Sequence, residues 1–319
     1  VKIAMARSAE RGHEASYPSE VPAAGWRDIL LRVWDETGRD NISIIAAGVA
    51  FYGLLAVFPA ITASVSIWGL LADPAQVQQQ FGAVGDIMPA EAWNLLNAQL
   101  LSVASSNATG LGWGVAFGIL VALWSAGAGV RALITALNIA YEEEEKRSFI
   151  KFYAVAFLCT LGLIAAALLS LAVIVALPVV LHFLPLGAVG DVLIRALTWV
   201  VLVALVIGGL GMLYRYGPSR SHARVSWVSW GAVAATVLWL LVSLAFQIYA
   251  ANFARYSATY GSLSAVIALL MWFWISAFVV LLGAELNAEM EHQTRKDTTV
   301  GPEKPLGQRG AYVADHVVE

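Results

Sequence analysis

Six long apolar stretches dominate the chain, at about residues 43–71, 111–138, 152–181, 192–213, 226–250 and 262–285. Each reaches the roughly 20 residues that carry a helix across a ~30 Å hydrocarbon core. A segment surrounded by lipid must satisfy its own backbone N–H and C=O groups, so every run is predicted to be a helix. A transmembrane barrel would instead show alternating segments of about ten residues, a pattern this chain lacks. The expected fold is all-α: a polytopic integral membrane protein with six transmembrane helices in a domain at 42–290.

The polar segments between and around the runs predict different things. Residues 1–25 and 291–319 mix charges with Pro18, Pro22, Gly301, Pro302 and Pro305, the composition of disordered tails. Over 26–41, Trp26, Ile29, Leu30, Val33 and Trp34 share one helical face, while Arg27, Asp28, Arg32, Asp35 and Glu36 take the others. That pattern predicts an amphipathic helix, lying in the headgroup region or packed on its own bundle. Residues 72–110 form too long a connection to be structureless. Asp73, Pro74 and Pro89 are placed to start two helices, and a helical hairpin over the outer face is expected. The first run follows some forty polar and amphipathic residues, with no small-residue cleavage site after it, so no removable signal peptide is expected.

Composition confirms lipid as the solvent. Of 319 residues, 59% are apolar and 13% charged, where a soluble domain has about a quarter charged. The charges are also unevenly placed. Sixteen of the nineteen Lys and Arg precede the first run, lie between runs two and three or four and five, or follow the sixth; residues 72–110 and 182–191 have none. Because flanking cations stay cytoplasmic, both termini are expected in the cytoplasm.

Little catalytic chemistry is supplied. His13, His182, His222, His292 and His316 are scattered, and there is no P-loop, nucleophile elbow or HExxH; no catalytic residue, cofactor, metal or ATP site is therefore expected. The net charge of −3 gives no field for nucleic acid. Cys159 is the single cysteine, so no intrachain disulfide can form. The acidic run Glu142 to Glu145, beside Lys146 and Arg147, reads as a solvated loop. Membrane lipid and a small solute are the expected partners.

Ionisable groups at bilayer depth cost ~2.5–3.5 kcal/mol and default to function. Arg131 and Glu285 lie about 27 and about 33 Å into their spans from the outer side, at 1.5 Å per residue, and a pairing between them is one of two readings. Thr135 and Asn138 continue the face of Arg131. The alternative places Arg131 among the headgroups and Glu285 at the water boundary. On the outer side Gln247, Tyr249, Asn252, Arg255, Tyr256 and Tyr260 form a candidate ligand site, against an ordinary aromatic belt. Pro59 predicts a kink in the first span. Gly110, Gly114 and Gly118, and Gly208, Gly209 and Gly211, read as helix-packing faces that could also join copies into a homo-oligomer.

Four segments carry a family resemblance: AAGVAFYGLLAVFPAI at 46–61, LWSAGAGVRALITALNIAY at 123–141, YRYGP at 214–218 and YGSLSAVIALLMWFWISAFVVLLGAELNAE at 260–289. The sequence resembles the YihY/BrkB family of bacterial inner-membrane proteins over roughly residues 26–290. The resemblance implies six helices with both termini inside, in the bacterial inner membrane. It brings an old ribonuclease label and a virulence or serum-resistance label, with some members that look like transporters or lipid-handling proteins. It supplies no catalytic residues, though Arg131, Asn138, Tyr260 and Glu285 fall within its motif segments. Three readings follow, in order: a transporter or flippase of a small polar or lipid-like solute, a scaffold for envelope integrity or virulence, and a membrane ribonuclease.

Overall fold

The computed structural model describes residues 11–71, 108–182, 187–253 and 263–318. Their helices are α1 (Ala23–Arg39), α2 (Ile42–Leu71), α3 (Ala108–Ala140), α4 (Phe149–His182), α5 (Gly187–Tyr216), α6 (Val225–Phe253), α7 (Leu263–Gln293) and the short α8 (Tyr312–Asp315). No strand occurs among the described residues, although one antiparallel bridge joins Ala223 to Thr299. Five helices are long and apolar enough to cross a membrane, over Leu123–Ala140, Phe149–Ser170, Val192–Tyr216, Val225–Tyr249 and Val266–Gln293. In α2 the apolar stretch among described side chains is Ile42–Ala56. The helix continues through Pro59, whose side chain lies outside the described residues, as do residues 72–107 of the expected hairpin and the surroundings of Gly110, Gly114 and Gly118.

The chain divides into two compact units. The first takes its described residues from Val1–Ala46, Leu133–Leu241 and Phe278–Glu319, the second from Ala47–Ala132 and Val242–Ala277. In the second unit, the backbones of α2 and α3 meet at Gly53 and Gly129, where a Cβ on Gly129 would lie 3.7 Å from the Gly53 nitrogen. The Phe273 ring of α7 fills the space beside Gly53 at 3.7 Å.

In the first unit the core gathers around Ile29, Val33, Trp227 and Met290, with Ala15 and Val21 from the N-terminal segment. A turn at Asn41, in the left-handed region at φ 53°, folds α1 back into α2; Asn tolerates that conformation better than most residues. Ile29 and Val33 are buried, whereas Leu30 and Trp34 of the same apolar stripe are exposed. The amphipathic face is therefore split between the protein's own core and its surroundings. At the crossing of α6 and α7, a Cβ on Gly283 would come within 2.5 Å of the Tyr214 hydroxyl and 2.7 Å of Ala235 Cβ; only glycine permits this approach. Along α4 and α5, Phe157, Leu168, Leu193, Trp199 and Val200 are exposed, an apolar surface suited to acyl chains rather than water.

Composition predicts disorder for residues 11–25 and 294–318, yet both segments are tied to this unit. Arg295 N–H donates to His13 O at 2.8 Å and Ser221 N–H to Gly310 O at 2.8 Å. Gln293 Nε2 donates to Arg11 O at 2.7 Å, and Thr294 Oγ1 to Ala15 O at 2.6 Å. Arg309, buried, donates to the carbonyls of Ala314, Arg295 and Lys296 at 2.6, 2.6 and 3.0 Å. Partners distant in sequence supply the order that local composition does not predict.

Candidate functional site

The last two turns of α7 are the polar centre of the first unit. Glu285, Asn287, Glu289, Glu291, His292 and Gln293 are all buried there. At helical spacing, Glu285 and Glu289 share one face and Asn287 and Glu291 another.

The face of Asn287 and Glu291 is fully engaged. Asn287 Oδ1 accepts from Gly231 N–H at 2.8 Å, and its Nδ2 donates to the Tyr141 hydroxyl at 3.2 Å and to Val228 O at 3.3 Å. Glu291 accepts from Arg220 Nη1 at 3.1 Å and Nη2 at 2.6 Å, and from Thr298 Oγ1 at 2.5 Å. The Arg220 guanidinium also lies over the Tyr141 ring, 5.1 Å from its centroid. Buried charges survive only when paired and hydrogen-bonded in this way. These contacts fix the ends of α3, α6 and α7 to the segments at 217–224 and 294–299.

The other face differs. Glu289 pairs with Arg32 Nε, while Arg32 Nη2 donates to Gln293 Oε1 at 2.6 Å. One turn earlier, Glu285 is 2% exposed, and its Oε1 has no hydrogen-bond partner. The charges that act on it most strongly are acidic: Asp40, Glu289, Glu36 and Glu142. Asp40, which caps the end of α1, lies close enough to Glu285 for the two carboxyls to act on each other, and a hydrogen bond between them would require one to be protonated. Partial burial, then the charge of Glu36, pushes the Asp40 carboxyl up to about 6. The first unit thus holds a two-carboxyl pair with one open acceptor, on a rigid frame of satisfied polar contacts.

The remaining expected site residues fall elsewhere. Asn138 is buried and takes part in the frame: its Oδ1 accepts from Ser219 N–H at 2.8 Å and its Nδ2 donates to Glu145 at 3.0 Å. Thr135 is exposed on the same helix. Arg131 belongs to the second unit, where its guanidinium lies 5.2 Å from the Trp124 ring centroid. Gln247 and Tyr249 are exposed near the end of α6, and Tyr249 contacts Phe246, with ring centroids 6.0 Å apart. The Asn252 side chain and Arg255, Tyr256 and Tyr260 lie outside the described residues.

Two expectations are corrected. Gly208, Gly209 and Gly211 do not pack against another helix among the described residues, because a Cβ at any of them would meet nothing within 4 Å. Gly208 and Gly209 border a cavity instead. The acidic run is not simply solvated. Glu143 is buried and accepts from Lys146 Nζ at 2.8 Å and from Tyr312 N–H at 2.6 Å. Burial alone would raise Glu145, but hydrogen bonds and charge from Arg147, with Asn138, outweigh it and hold the carboxyl down to about 2. Asp40, Arg32, Tyr141, Arg220, Asn287, Glu289 and Glu291 are additions from the structure. The i, i+4 spacings of Glu285 with Glu289 and of Asn287 with Glu291 were the available signal.

An all-helical frame with five apolar helices of membrane-crossing length, and ionisable groups buried at the end of one of them, defines a polytopic membrane protein. The chain belongs to the Virulence factor BrkB family, which it matches over residues 33–306. It is 32% identical over 259 residues to the ribonuclease-like protein YfkH of Bacillus subtilis, covering 79% of this chain and 90% of the relative. It is 27% identical over 267 residues to a UPF0761 membrane protein of Vibrio vulnificus, covering 80% of each. A UPF0761 membrane protein of Photobacterium profundum shares 26% over 282 residues, covering 86% of this chain and 84% of the relative. No solved structure matches.

Proposed function

We propose that this chain is a transporter or flippase for a small polar or amphipathic, lipid-like solute, without an ATP site of its own. In this reading it crosses the bacterial inner membrane six times, α2 included, with both termini in the cytoplasm. One observation carries the reading: the Glu285 carboxyl, almost wholly out of water, keeps an unpartnered oxygen beside Asp40. Acidic groups buried in membrane helices mark solute and proton pathways because their burial is otherwise costly. A static scaffold would need only the satisfied contacts of Asn287 and Glu291, and it leaves the open oxygen of Glu285 unused.

The name of YfkH raises the ribonuclease alternative. Metal-assisted phosphodiester cleavage needs convergent ligands, and among the described residues no three His, Cys, Asp or Glu side chains come together. The test is reconstitution of the full chain into liposomes carrying fluorescent amphiphiles. Movement across the bilayer that is lost in Glu285→Gln supports the proposal; RNA cleavage by the purified chain, abolished by a point substitution, reverses it.

A further inference from the structure

Between α4 and α5 lies a cavity of about 960 Å³, bordered at one end by residues 146–151 and 218–222. Its walls are apolar, with Leu158, Leu163, Leu169, Leu205 and Met212 among them. Glycine hollows it: Gly162, Gly208 and Gly209 all line the cavity, and a Cβ at any of them would meet nothing within 4 Å. From Lys151 to Leu169 the α4 wall extends about 27 Å at 1.5 Å per residue. That is longer than the roughly 15 Å of hydrocarbon in one leaflet, taken as half of a ~30 Å core.

The polar end is cationic, with Lys146, Arg147, Lys151 and Arg220 bordering it. Two of these cations are occupied. Arg147 holds Glu145 through Nε and Nη2, both at 2.7 Å, and Arg220 is buried against Glu291. Lys146 pairs with Glu143 at 2.8 Å but is 63% exposed, leaving N–H donors of its ammonium for another acceptor. Lys151 is exposed and makes no ion pair among the described residues. The unpaired positive charge of the rim therefore sits on Lys151, and Lys146 adds exposed N–H donors beside it. Both stand beside the N-terminal turn of α4, where unpaired backbone N–H groups add to the attraction for an anion.

A long oily groove closed by one unpaired lysine and the exposed donors of a second fits neither a free anion, which has no use for the leucines, nor an uncharged hydrocarbon, which has no use for the lysines. Basic pockets between membrane helices recognise anionic lipid headgroups in this way. We propose that the groove between α4 and α5 binds one anionic phospholipid, its phosphate held by Lys146 and Lys151 and an acyl chain lying along the leucine wall. The site goes beyond the transport reading and does not depend on it; it depends on the six-span reading only for placing the headgroup in the cytoplasmic leaflet.

Cys159, the single cysteine, lines the groove and reports its occupancy. The experiment measures the rate of Cys159 modification by a small maleimide on the full-length chain in detergent. Additions are phosphatidylglycerol, phosphatidylcholine or inorganic phosphate. The expected result is protection by phosphatidylglycerol at concentrations where phosphatidylcholine gives little and millimolar phosphate gives none. Lys146→Gln and Lys151→Gln should each raise the phosphatidylglycerol concentration needed by roughly fivefold, the equivalent of one surface cation, without changing the unprotected rate. Lys304→Gln, away from the groove, should change nothing. Gly208→Leu should fill the groove and slow Cys159 modification with no lipid added, and an unchanged melting temperature in each variant would certify its fold.

Equal protection by the two lipids, protection that persists in Lys146→Gln/Lys151→Gln, or protection by phosphate alone would overturn the site. Failure of the transport reading is a separate result: phosphatidylglycerol protects Cys159 in the wild-type chain while reconstituted protein moves no amphiphile.

Discussion

Arg220 and Glu291 form a two-pronged ion pair, at 3.1 and 2.6 Å, between side chains only 2% and 0% exposed. Neither residue is near the other in sequence, and the pair clamps the 217–224 segment to the end of α7. Removing one partner strands the other charge out of water, which costs about 3–5 kcal/mol. Arg220→Met and Glu291→Leu should each sharply lower the melting temperature of the detergent-solubilised protein. The double substitution Arg220→Met/Glu291→Leu should recover much of the loss, because a paired apolar replacement leaves no charge uncompensated. Additive losses on thermal unfolding would show that the two side chains are not coupled.

The raised Asp40 gives a signed pH dependence. Its folded-state value of about 6 lies above the usual carboxylate value of 3.8, so the folded protein binds its proton more tightly than the unfolded chain does. The resulting stabilisation is complete below about pH 4 and is lost as pH rises through about 6. Asp40→Asn removes this dependence. Relative to wild type, the variant should gain in melting temperature between pH 5 and pH 7.5, as followed by thermal scans across that range. A constant difference across the range would contradict the Asp40 environment described above.

The crossing of α6 and α7 tolerates no side chain at Gly283, where a Cβ would press on the Tyr214 hydroxyl and Ala235. Overpacking of this kind costs roughly 1–3 kcal/mol. Gly283→Ala should lower stability, as should Gly231→Ala on the facing helix, whose Cβ would press on the Gly283 carbonyl and Asn287. Gly211→Ala, with open space around it, should be nearly neutral. Size-exclusion yield after a heat step distinguishes the three.

If α2 completes a sixth span, both ends of the chain lie on one side. A green fluorescent protein fused to either terminus should fluoresce in a bacterial host, and alkaline phosphatase fused to either should be inactive. Opposite behaviour of the two ends would give an odd number of crossings.

How much of this was legible in the sequence follows from what is local. Lipid imposes its demand residue by residue, so the apolar runs and their helices could be read directly, as α4 from 149 to 182 and α5 from 187 to 216 illustrate. Glu285 was also legible as costly, because its neighbours in sequence are apolar. Its environment was not. Asp40 comes from the turn between α1 and α2, and residues 11–22 and 294–318 fold over the end of α7, turning what reads as a water boundary into an interior. Gly208 and Gly209 show the same limit: spacing marks them as small but says nothing of whether a helix or a cavity lies opposite. Lys151, one cation among nineteen, stands out only when the groove beside it and the partners of Lys146 and Arg147 are known.

The most direct measurement of the central claim is translocation of a fluorescent anionic amphiphile by the purified full chain in liposomes, compared with Glu285→Gln at equal incorporation. Wild type should move the amphiphile well above the level of protein-free liposomes, and the variant should fall back to that background, with melting temperatures alike. Transport by Glu285→Gln at the wild-type rate would contradict the claim, as would wild-type protein that is folded, incorporated and inert across polar and lipid-like solutes.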